Sequence, residues 1–430
     1  MLSSSANSAA ALTTLQLIGA LIFALALIHT FATKAFEVLA RRYPRHQGLL
    51  HMLGEVEIVF GFWAFVLIAA MAVLEGADSA IGYVETRQYS EPLFVFVIMV
   101  VAASRPVLDL VQRSLGALAH LAPIPTDMAL AWLGLAVLPL TGSLITEPAA
   151  MTLAALTLAP ILARPSMPEW CKYAALGALF VNVSIGGTLT AYAAPPVLMV
   201  AHTWHWDSLF MASQIGWKAA LAVLTNASAV AILLRRHLAD APPGAGTPAD
   251  EQRPVPLTVS LIHIGFLAAV VMLAHHQVLF LGLFMLFLGF TQAYPAYQSP
   301  LMLKEGLLVG FFLAGLVVLG GMQQWWLQAT VSRLGPLALF FGATALTAIT
   351  DNAALTYLGS LIGGLSDAAK YMLMTGAVAG GGLTVIANAP NPAGAALLRR
   401  SFADESISAV GLLLGAAPPT ALACCAFLLL

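Results

Sequence analysis

Two short phrases each place a carboxyl group in otherwise apolar sequence. The first is ITEPAAMT, which carries Glu147, and the second is ITDNAALT, which carries Asp351. A carboxylate near the centre of a bilayer costs about 2.5–3.5 kcal/mol on insertion scales and marks an ion path by default. Away from water a carboxyl group tends to hold a proton, and once it is ionised it needs a cation beside it. The two acids are therefore the first candidates for holding H⁺ or Na⁺.

Oxygen-bearing residues recur in the same phrases and in a second pair, SIGGTLTAYAAPP (184–196) and AGGGLTVIANAP (379–390). A glycine pair and a closing proline in an apolar run indicate a helix that unwinds at mid-depth, where freed carbonyls and side-chain oxygens bind ions. Hard cations prefer such oxygen ligands. The predicted ion-binding residues are Thr146, Glu147, Gly187, Thr188, Thr190, Thr350, Asp351, Asn352, Gly381, Thr384 and Asn388, with Glu147 and Asp351 as the Na⁺ ligands.

Each candidate also has a structural interpretation. A threonine hydroxyl often bonds back to its own helix. For Glu147 and Asp351 the alternatives are a helix cap or a buried ion pair. Lys218 lies inside an apolar run and is a candidate charge partner for a tip acid, displaced when a cation binds, although a long basic side chain can instead reach the membrane interface.

The composition places these phrases in a membrane protein. Of 430 residues, 60% are hydrophobic and 9% are charged, whereas soluble domains carry about 25% charged residues. Apolar runs of roughly 18–25 residues recur along the chain, long enough for helices to span a bilayer. The three cysteines lack zinc-site spacing, and we find no nucleotide-binding glycine motif and no Ser/His/Asp arrangement. We therefore expect an all-α polytopic membrane protein whose partner is the lipid bilayer, with no enzyme activity, cofactor or nucleic acid.

Charge in the loops gives the expected topology, because Lys and Arg concentrate on the cytoplasmic side. The loop TKAFEVLARRYPRH follows the first helix and is strongly basic, which puts the N-terminus outside. Alternation then places thirteen of the eighteen Lys and Arg in the cytoplasm, provided that segments 125–162 and 335–364 each enter and leave on one side. Re-entrant helical hairpins satisfy this condition, with ITEPAAMT and ITDNAALT at their tips. Both termini are predicted outside a bacterial inner membrane.

The two pairs of phrases occur in the same order, which predicts a repeat. The first repeat is 1–234, with a hairpin at about 125–162 and a broken helix at about 173–201. The second is 257–430, with a hairpin at about 335–364 and a broken helix at about 371–398. Each half has five transmembrane helices, one of them broken, so an odd number of crossings inverts the second half. A polar Pro/Gly-rich cytoplasmic linker, 235–256, joins them.

These phrases also resemble a known group of transporters. FVNVSIGGTLTAYAAPPVLM resembles the ion transporter superfamily, which includes arsenite and sodium/proton antiporters and sodium–dicarboxylate carriers. With HMLGEVEIVFGFWA, EPLFVFVIMVVAASRP and LITEPAAMTL, the chain is similar to the bacterial family called "putative sodium/proton antiporters". The resemblance implies a homodimer, two hairpins and a substrate site between hairpin tips and broken helices. The tips depart from the neutral Ser-Asn-Thr phrase of the dicarboxylate carriers.

The resulting expectation is a secondary active transporter that exchanges Na⁺ for H⁺ at mid-membrane carboxylates. The alternative is a sodium-coupled symporter of a small anion, a carboxylate or an oxyanion. Helix N-termini at the hairpins favour an anion, whereas the tip acids repel one unless bound Na⁺ neutralises them.

Overall fold

The computed structural model describes residues 14–238, 254–331 and 333–430, and every regular element in these ranges is helical. This confirms the all-α prediction. The helices are α1 (Thr14–Arg42), α2 (Gln47–Leu53), α3 (Val56–Glu75), α4 (Ala77–Glu85), α5 (Ser90–Ala102), α6 (Arg105–Leu121), α7 (Thr126–Leu135), α8 (Val137–Ile145), α9 (Glu147–Leu162), α10 (Glu169–Gly186), α11 (Pro195–Trp204), α12 (Ser208–Leu238), α13 (Leu257–Met272), α14 (Gln277–Ala293), α15 (Leu303–Gly320), α16 (Gln324–Val331), α17 (Pro336–Thr347), α18 (Asn352–Ser360), α19 (Asp367–Gly380), α20 (Asn391–Leu398) and α21 (Ala409–Leu429).

Several of these helices are long and apolar enough to cross a membrane. Within the described residues four qualify by length and composition, in α3, α12, α15 and α21. The pairs α5–α6, bent by 60°, and α7–α8, bent by 43°, raise the number to six if each pair is one span. A broken helix yields two pieces that are each too short to qualify alone. The protein is therefore of the helical membrane type, and the expected count of ten crossings stays a prediction.

One compact unit comprises Met1–Pro92 and Leu308–Thr330. Within it, α3 and α15 approach closely, because a Cβ added to Gly315 would collide with the backbone of Gly61. His29 bridges α2 and α3 by donating from Nε2 to the Leu53 carbonyl at 2.9 Å and accepting from Trp63 Nε1 at 3.0 Å. This histidine is a packed, hydrogen-bonded residue.

The other compact unit comprises Leu93–Leu307 and Val331–Leu430 and contains both tip phrases and both glycine-pair phrases. Its core surrounds α10, which is buried along most of its length and packs against α12 and α21. Small residues allow the backbones of α10 and α21 to touch. A Cβ on Gly177 would meet the Gly415 carbonyl, and a Cβ on Gly415 would meet the Tyr173 carbonyl. Close packing through glycine is a common way to join membrane helices, where lipid removes most of the hydrophobic driving force.

We expect Gly177→Ala to destabilise this unit by about 1–3 kcal/mol, since overpacking forces two backbones apart. The measurement is the fraction of protein that remains monodisperse on size exclusion after heating. Gly265→Ala is the matched control, because that glycine also lies inside a helix but has open space around it. Equal heat resistance of the two variants would contradict the close contact.

A buried asparagine pair links the bend between α7 and α8 to the prolines inside α21. Asn182 of α10 donates to the Leu135 carbonyl at 2.8 Å, next to the α7–α8 bend. Asn226 of α12 donates to Asn182 Oδ1 at 2.9 Å and to the Pro419 carbonyl at 3.3 Å, inside α21. Carbonyls beside bends and prolines need such partners in the absence of water. The pair therefore positions α8, which leads to the first tip.

Part of the predicted linker, residues 239–253, lies outside the described residues, as do residues 1–13. Helix α12 continues to Leu238, so the first residues assigned to the linker are helical. Helix α13 begins at Leu257, where the second repeat was expected to begin.

Candidate ion-binding site

The first tip is a turn of a single residue. Helix α8 ends at Ile145, α9 begins at Glu147, and only Thr146 joins them, with φ 77° and ψ 150°. A β-branched residue rarely adopts this region, so the backbone here is strained, as is common at ligand sites. Thr146 occupies the N-cap position of α9, but its side chain makes no capping hydrogen bond. The turn instead brings Glu147 inside the protein at the start of α9.

Glu147 is completely buried at the start of α9. Its Oε2 accepts a hydrogen bond of 2.8 Å from Asn388 Nδ2, whereas its Oε1 is buried and has no hydrogen-bond partner among the described residues. None of the ion pairs found among those residues includes Glu147. An ionised carboxylate in this position is strongly unfavourable unless a cation joins it. The geometry therefore suits a group that carries either a proton or a cation.

The backbone of Gly187 packs directly against this carboxyl group. A Cβ at Gly187 would lie 2.5 Å from Glu147 Oε1 and 2.8 Å from its Cγ. The backbone of Gly187 has φ −70°, which any residue adopts. Glycine is therefore required here for space rather than for backbone freedom.

The first broken helix is anchored to the first hairpin by Ser143. Helix α10 ends at Gly186, one 3₁₀ turn covers Gly187–Leu189, and α11 begins at Pro195. Ser143 Oγ donates to the Gly186 carbonyl at 2.7 Å and accepts from Leu189 N at 2.9 Å. Thr190 Oγ1 donates to the Ser143 carbonyl at 2.7 Å. These contacts fix the break against the residues that lead into the tip.

The second tip uses its acid differently. Asp351 is the N-cap of α18, and its Oδ1 accepts from Ala353 N at 2.8 Å and from Ala354 N at 3.1 Å. Asn352 is the first residue of the helix and is completely buried. Its Nδ2 lies 3.3 Å from Ser184 Oγ of α10, and its Oδ1 has no described partner. The buried polar group at this tip is therefore an amide.

The second broken helix runs from Gly380 at the end of α19 to Asn391 at the start of α20. Asn391 Nδ2 closes the break by donating to the carbonyls of Gly381 at 2.8 Å and Thr384 at 2.9 Å. A Cβ on Gly381 would collide with Ser184 Oγ, so α10 passes directly against this break. The second glycine pair therefore packs against α10 a few residues before the first break.

Buried oxygens without a described hydrogen-bond partner concentrate at the tips and breaks. Unpartnered buried acceptors are costly and rare, and hydroxyl, amide and carboxylate oxygens are the ligands of hard cations. The set comprises Thr146 Oγ1, Glu147 Oε1, Thr347 Oγ1, Asn352 Oδ1, Asn388 Oδ1 and Asn391 Oδ1. A cluster of three His, Cys, Asp or Glu of the kind that holds a transition metal is absent from the described residues.

A comparison with known families decides the class of the protein. The family described as "Putative Na+/H+ antiporter" matches residues 14–430. The chain belongs to this antiporter family. It is accordingly a member of a family of transporters rather than of enzymes, as the sequence phrases predict.

Two further comparisons concern individual proteins. No curated protein matches the chain. Among solved structures, the Alcanivorax borkumensis YdaH transporter is similar with 14% sequence identity and a TM-score of 0.41, over 86% of this chain and 96% of that chain.

Apart from the tip residues Thr146 and Asp351, the predicted site residues fall into four groups. Glu147 contacts both Gly187 and Asn388, and Asn352 and Gly381 contact Ser184. The hydroxyls of the four threonines Thr188, Thr190, Thr350 and Thr384 donate to backbone carbonyls. The last group is Lys218 alone, which hydrogen-bonds Tyr371 OH at 2.9 Å and lies over the Tyr371 ring.

Four further residues of this region were not selected from the sequence, namely Ser143, Ser184, Thr347 and Asn391. Ser143 and Asn391 were within reach of sequence reasoning, because Ser143 precedes the tip by three residues and Asn391 directly follows the second closing proline. Ser184 opens one of the quoted phrases but carries no periodic signal.

Replacing Asn388 by alanine should raise the Na⁺ concentration needed for half-maximal proton movement by about 10-fold or more, because hydrogen bonds to charged groups contribute about 1.5–3 kcal/mol. Asn388→Ser should lose less, since a hydroxyl keeps one donor and one oxygen. The measurement is the Na⁺ concentration that gives half-maximal proton movement in proteoliposomes. An unchanged Na⁺ dependence in the alanine variant would remove Asn388 from the site.

Proposed function

We propose that the protein is a secondary active transporter that exchanges Na⁺ for H⁺, with Glu147 as the exchanging group. The observation that carries this proposal is the complete burial of Glu147 with one unpartnered oxygen and without a basic partner among the described residues. A proton on the carboxyl group and a sodium ion beside the carboxylate are the two ways to neutralise it. The two ions therefore compete, and competition at one group is sufficient for exchange.

The hydrogen bonds define what each state requires. Oε2 accepts from Asn388 whether or not the carboxyl group is ionised, so the proton belongs on Oε1, the oxygen without a partner. When that proton leaves, Oε1 becomes an anionic oxygen, and the same region contains neutral buried oxygens that also lack a described hydrogen-bond partner, such as Asn388 Oδ1 and Asn352 Oδ1. One anionic and several neutral oxygens suit a monovalent hard cation.

Symport of a small anion has less support. Ionised Glu147 would repel an anion, and the buried residues among those described include no Lys or Arg that would hold one. An anion site in a dry region needs such a partner or helix N-termini free of nearby negative charge. Glu147 stands at the N-terminus of α9 itself.

The same proposal covers the finer architecture. Two halves related as an inverted repeat, with re-entrant hairpins at the tips, are supported by the recurrence of tips and glycine-pair breaks and by the 43° bend that precedes the first tip. A homodimer in the inner membrane, with both termini outside, rests on the family resemblance and on the distribution of basic residues.

The test uses the purified protein in liposomes that enclose a pH-sensitive dye. Addition of Na⁺ outside, without any added anion substrate, should move protons in the opposite direction, and Li⁺ and K⁺ additions then report selectivity. Absence of any cation-dependent pH change, together with anion-stimulated uptake of radioactive sodium, would overturn the antiport proposal in favour of symport.

A further inference from the structure

We propose that Asp351 is a structural helix cap and that, of the two tip carboxylates, Glu147 alone exchanges ions, so that each cycle moves one Na⁺ against one H⁺ without net charge. This inference rests on the proposed exchange function and adds its stoichiometry.

The contacts of Asp351 are those of a cap. Both of the backbone N–H groups it holds, those of Ala353 and Ala354, belong to the first turn of α18. Those groups have no carbonyl partner within the helix, and a capping carboxylate satisfies them. An oxygen committed to two donors is a poor ligand for a cation. Glu147 differs, because the side chain at its N-cap position, Thr146, makes no such bond and Glu147 Oε1 is unpartnered.

The two acids match in sequence but not in position along their helices. Glu147 is the first residue of α9, whereas Asp351 precedes α18, whose first residue is Asn352. Each first residue faces a glycine of the repeated pair. Glu147 Oε1 lies 2.5 Å from the Cβ position of Gly187, and Asn352 Nδ2 lies 2.9 Å from that of Gly381. The counterpart of Glu147 at the second tip is therefore a neutral amide.

Burial leads to the same assignment. Among the side chains that the structure describes, Glu147 is the single Asp or Glu in the buried set, and Asn352, Asn388 and Asn391 supply neutral oxygens around the breaks. H⁺ and Na⁺ each cancel the single negative charge of Glu147, and the Asp351 carboxylate, which lies near enough to act electrostatically on Glu147, adds the same charge to both loaded states. The empty state carries one further negative charge, and its passage through an apolar region is the most costly. The two loaded forms therefore carry equal charge across the membrane, and their exchange moves no net charge.

The test is a reversal measurement on the full chain in liposomes. The sodium gradient that stops proton movement is determined at several imposed pH gradients, with the membrane potential fixed by K⁺ and valinomycin. For exchange of one ion for one ion, proton movement stops where the sodium ratio equals the proton ratio, and this point does not shift with the imposed potential. A reversal point that shifts with potential means that unequal numbers of protons and sodium ions are exchanged, and overturns the inference.

Variants of Asp351 provide the second readout. Asn and Ser cap helices about as well as Asp, so Asp351→Asn and Asp351→Ser should keep exchange rates within about threefold of the wild type and leave the reversal point in place. Asp351→Ala removes the cap and should lower the temperature of unfolding more than the Asn and Ser variants do. Loss of exchange in both capping variants, while they remain monodisperse on size exclusion, overturns the inference.

The outcomes separate the inference from the function on which it rests. Wild-type liposomes without any sodium-dependent proton movement overturn both. Sodium-dependent proton movement with a potential-dependent reversal point, or with inactive Asp351 capping variants, overturns only the single-carboxylate stoichiometry and leaves antiport in place.

Discussion

Glu147→Gln should lower the rate of sodium-dependent proton movement by at least about 100-fold while leaving the protein folded. Glutamine has nearly the same shape, and its amide oxygen can still accept the hydrogen bond that Asn388 donates to Oε2. It can neither release a proton nor balance the charge of a cation. A 100-fold loss corresponds to about 2.7 kcal/mol, which is in the range of a buried charge deprived of its neutralising partner. The initial rate of dye response in liposomes measures it.

The matched control for this substitution is Glu169→Gln. Glu169 begins α10, its side chain is 43% exposed, and it pairs with Lys172 at 2.7 Å. Exposed pairs of this kind contribute little, so the control should transport like the wild type. Transport at the wild-type rate by Glu147→Gln would remove the carboxylate from the mechanism, whatever the control does.

Gly187→Ala should also lower the rate of exchange, by about 10-fold or more. The added Cβ would lie 2.5 Å from Glu147 Oε1, closer than any van der Waals contact allows, so the carboxyl group must move away from its present position. The backbone of Gly187 accepts alanine without strain, so the loss would come from displacement of Glu147 rather than from a changed turn. A displacement of about 1 Å in one ligand is enough to remove most of the activity of a site.

Gly116→Ala controls for the loss of a glycine in the same unit, because that residue lies in α6 with open space around its Cβ position. It should keep full exchange. Both variants are compared at equal amounts of monodisperse protein. A Gly187→Ala variant that binds and exchanges Na⁺ normally would show that the Glu147 carboxyl group does not contact Gly187 during exchange.

Much of the local architecture follows from short-range chemistry. The helices break at Gly186–Gly187 and Gly380–Gly381, where neighbouring hairpin residues such as Pro139, Glu147 and Thr344 approach too closely for a Cβ atom. The tip phrases start new helices at Glu147 and Asn352 for an equally local reason, the availability of a proline or a cap.

The two tip acids differ by one residue in their position relative to the following helix, and the sequence phrases do not predict this difference. Aspartate has a short side chain that reaches back to the N–H groups of its own first turn, as Asp351 does. Glutamate is longer, and the position of Glu147 depends on Asn388, which is 241 residues away in the chain. Contacts of such separation, like that of Ser184 with the second break, depend on tertiary packing. Matching acids in sequence therefore have different surroundings in space.

Competition between Na⁺ and H⁺ for Glu147 is the central feature of the proposed mechanism. The most direct measurement is the release of protons when Na⁺ is added to purified protein in weakly buffered detergent solution, recorded with a pH indicator. We expect the wild type to release about one proton per chain on binding Na⁺, as proton-linked cation binding requires, and Glu147→Gln to release none. Sodium binding without proton release in the wild type, or equal release from Glu147→Gln, would contradict the account.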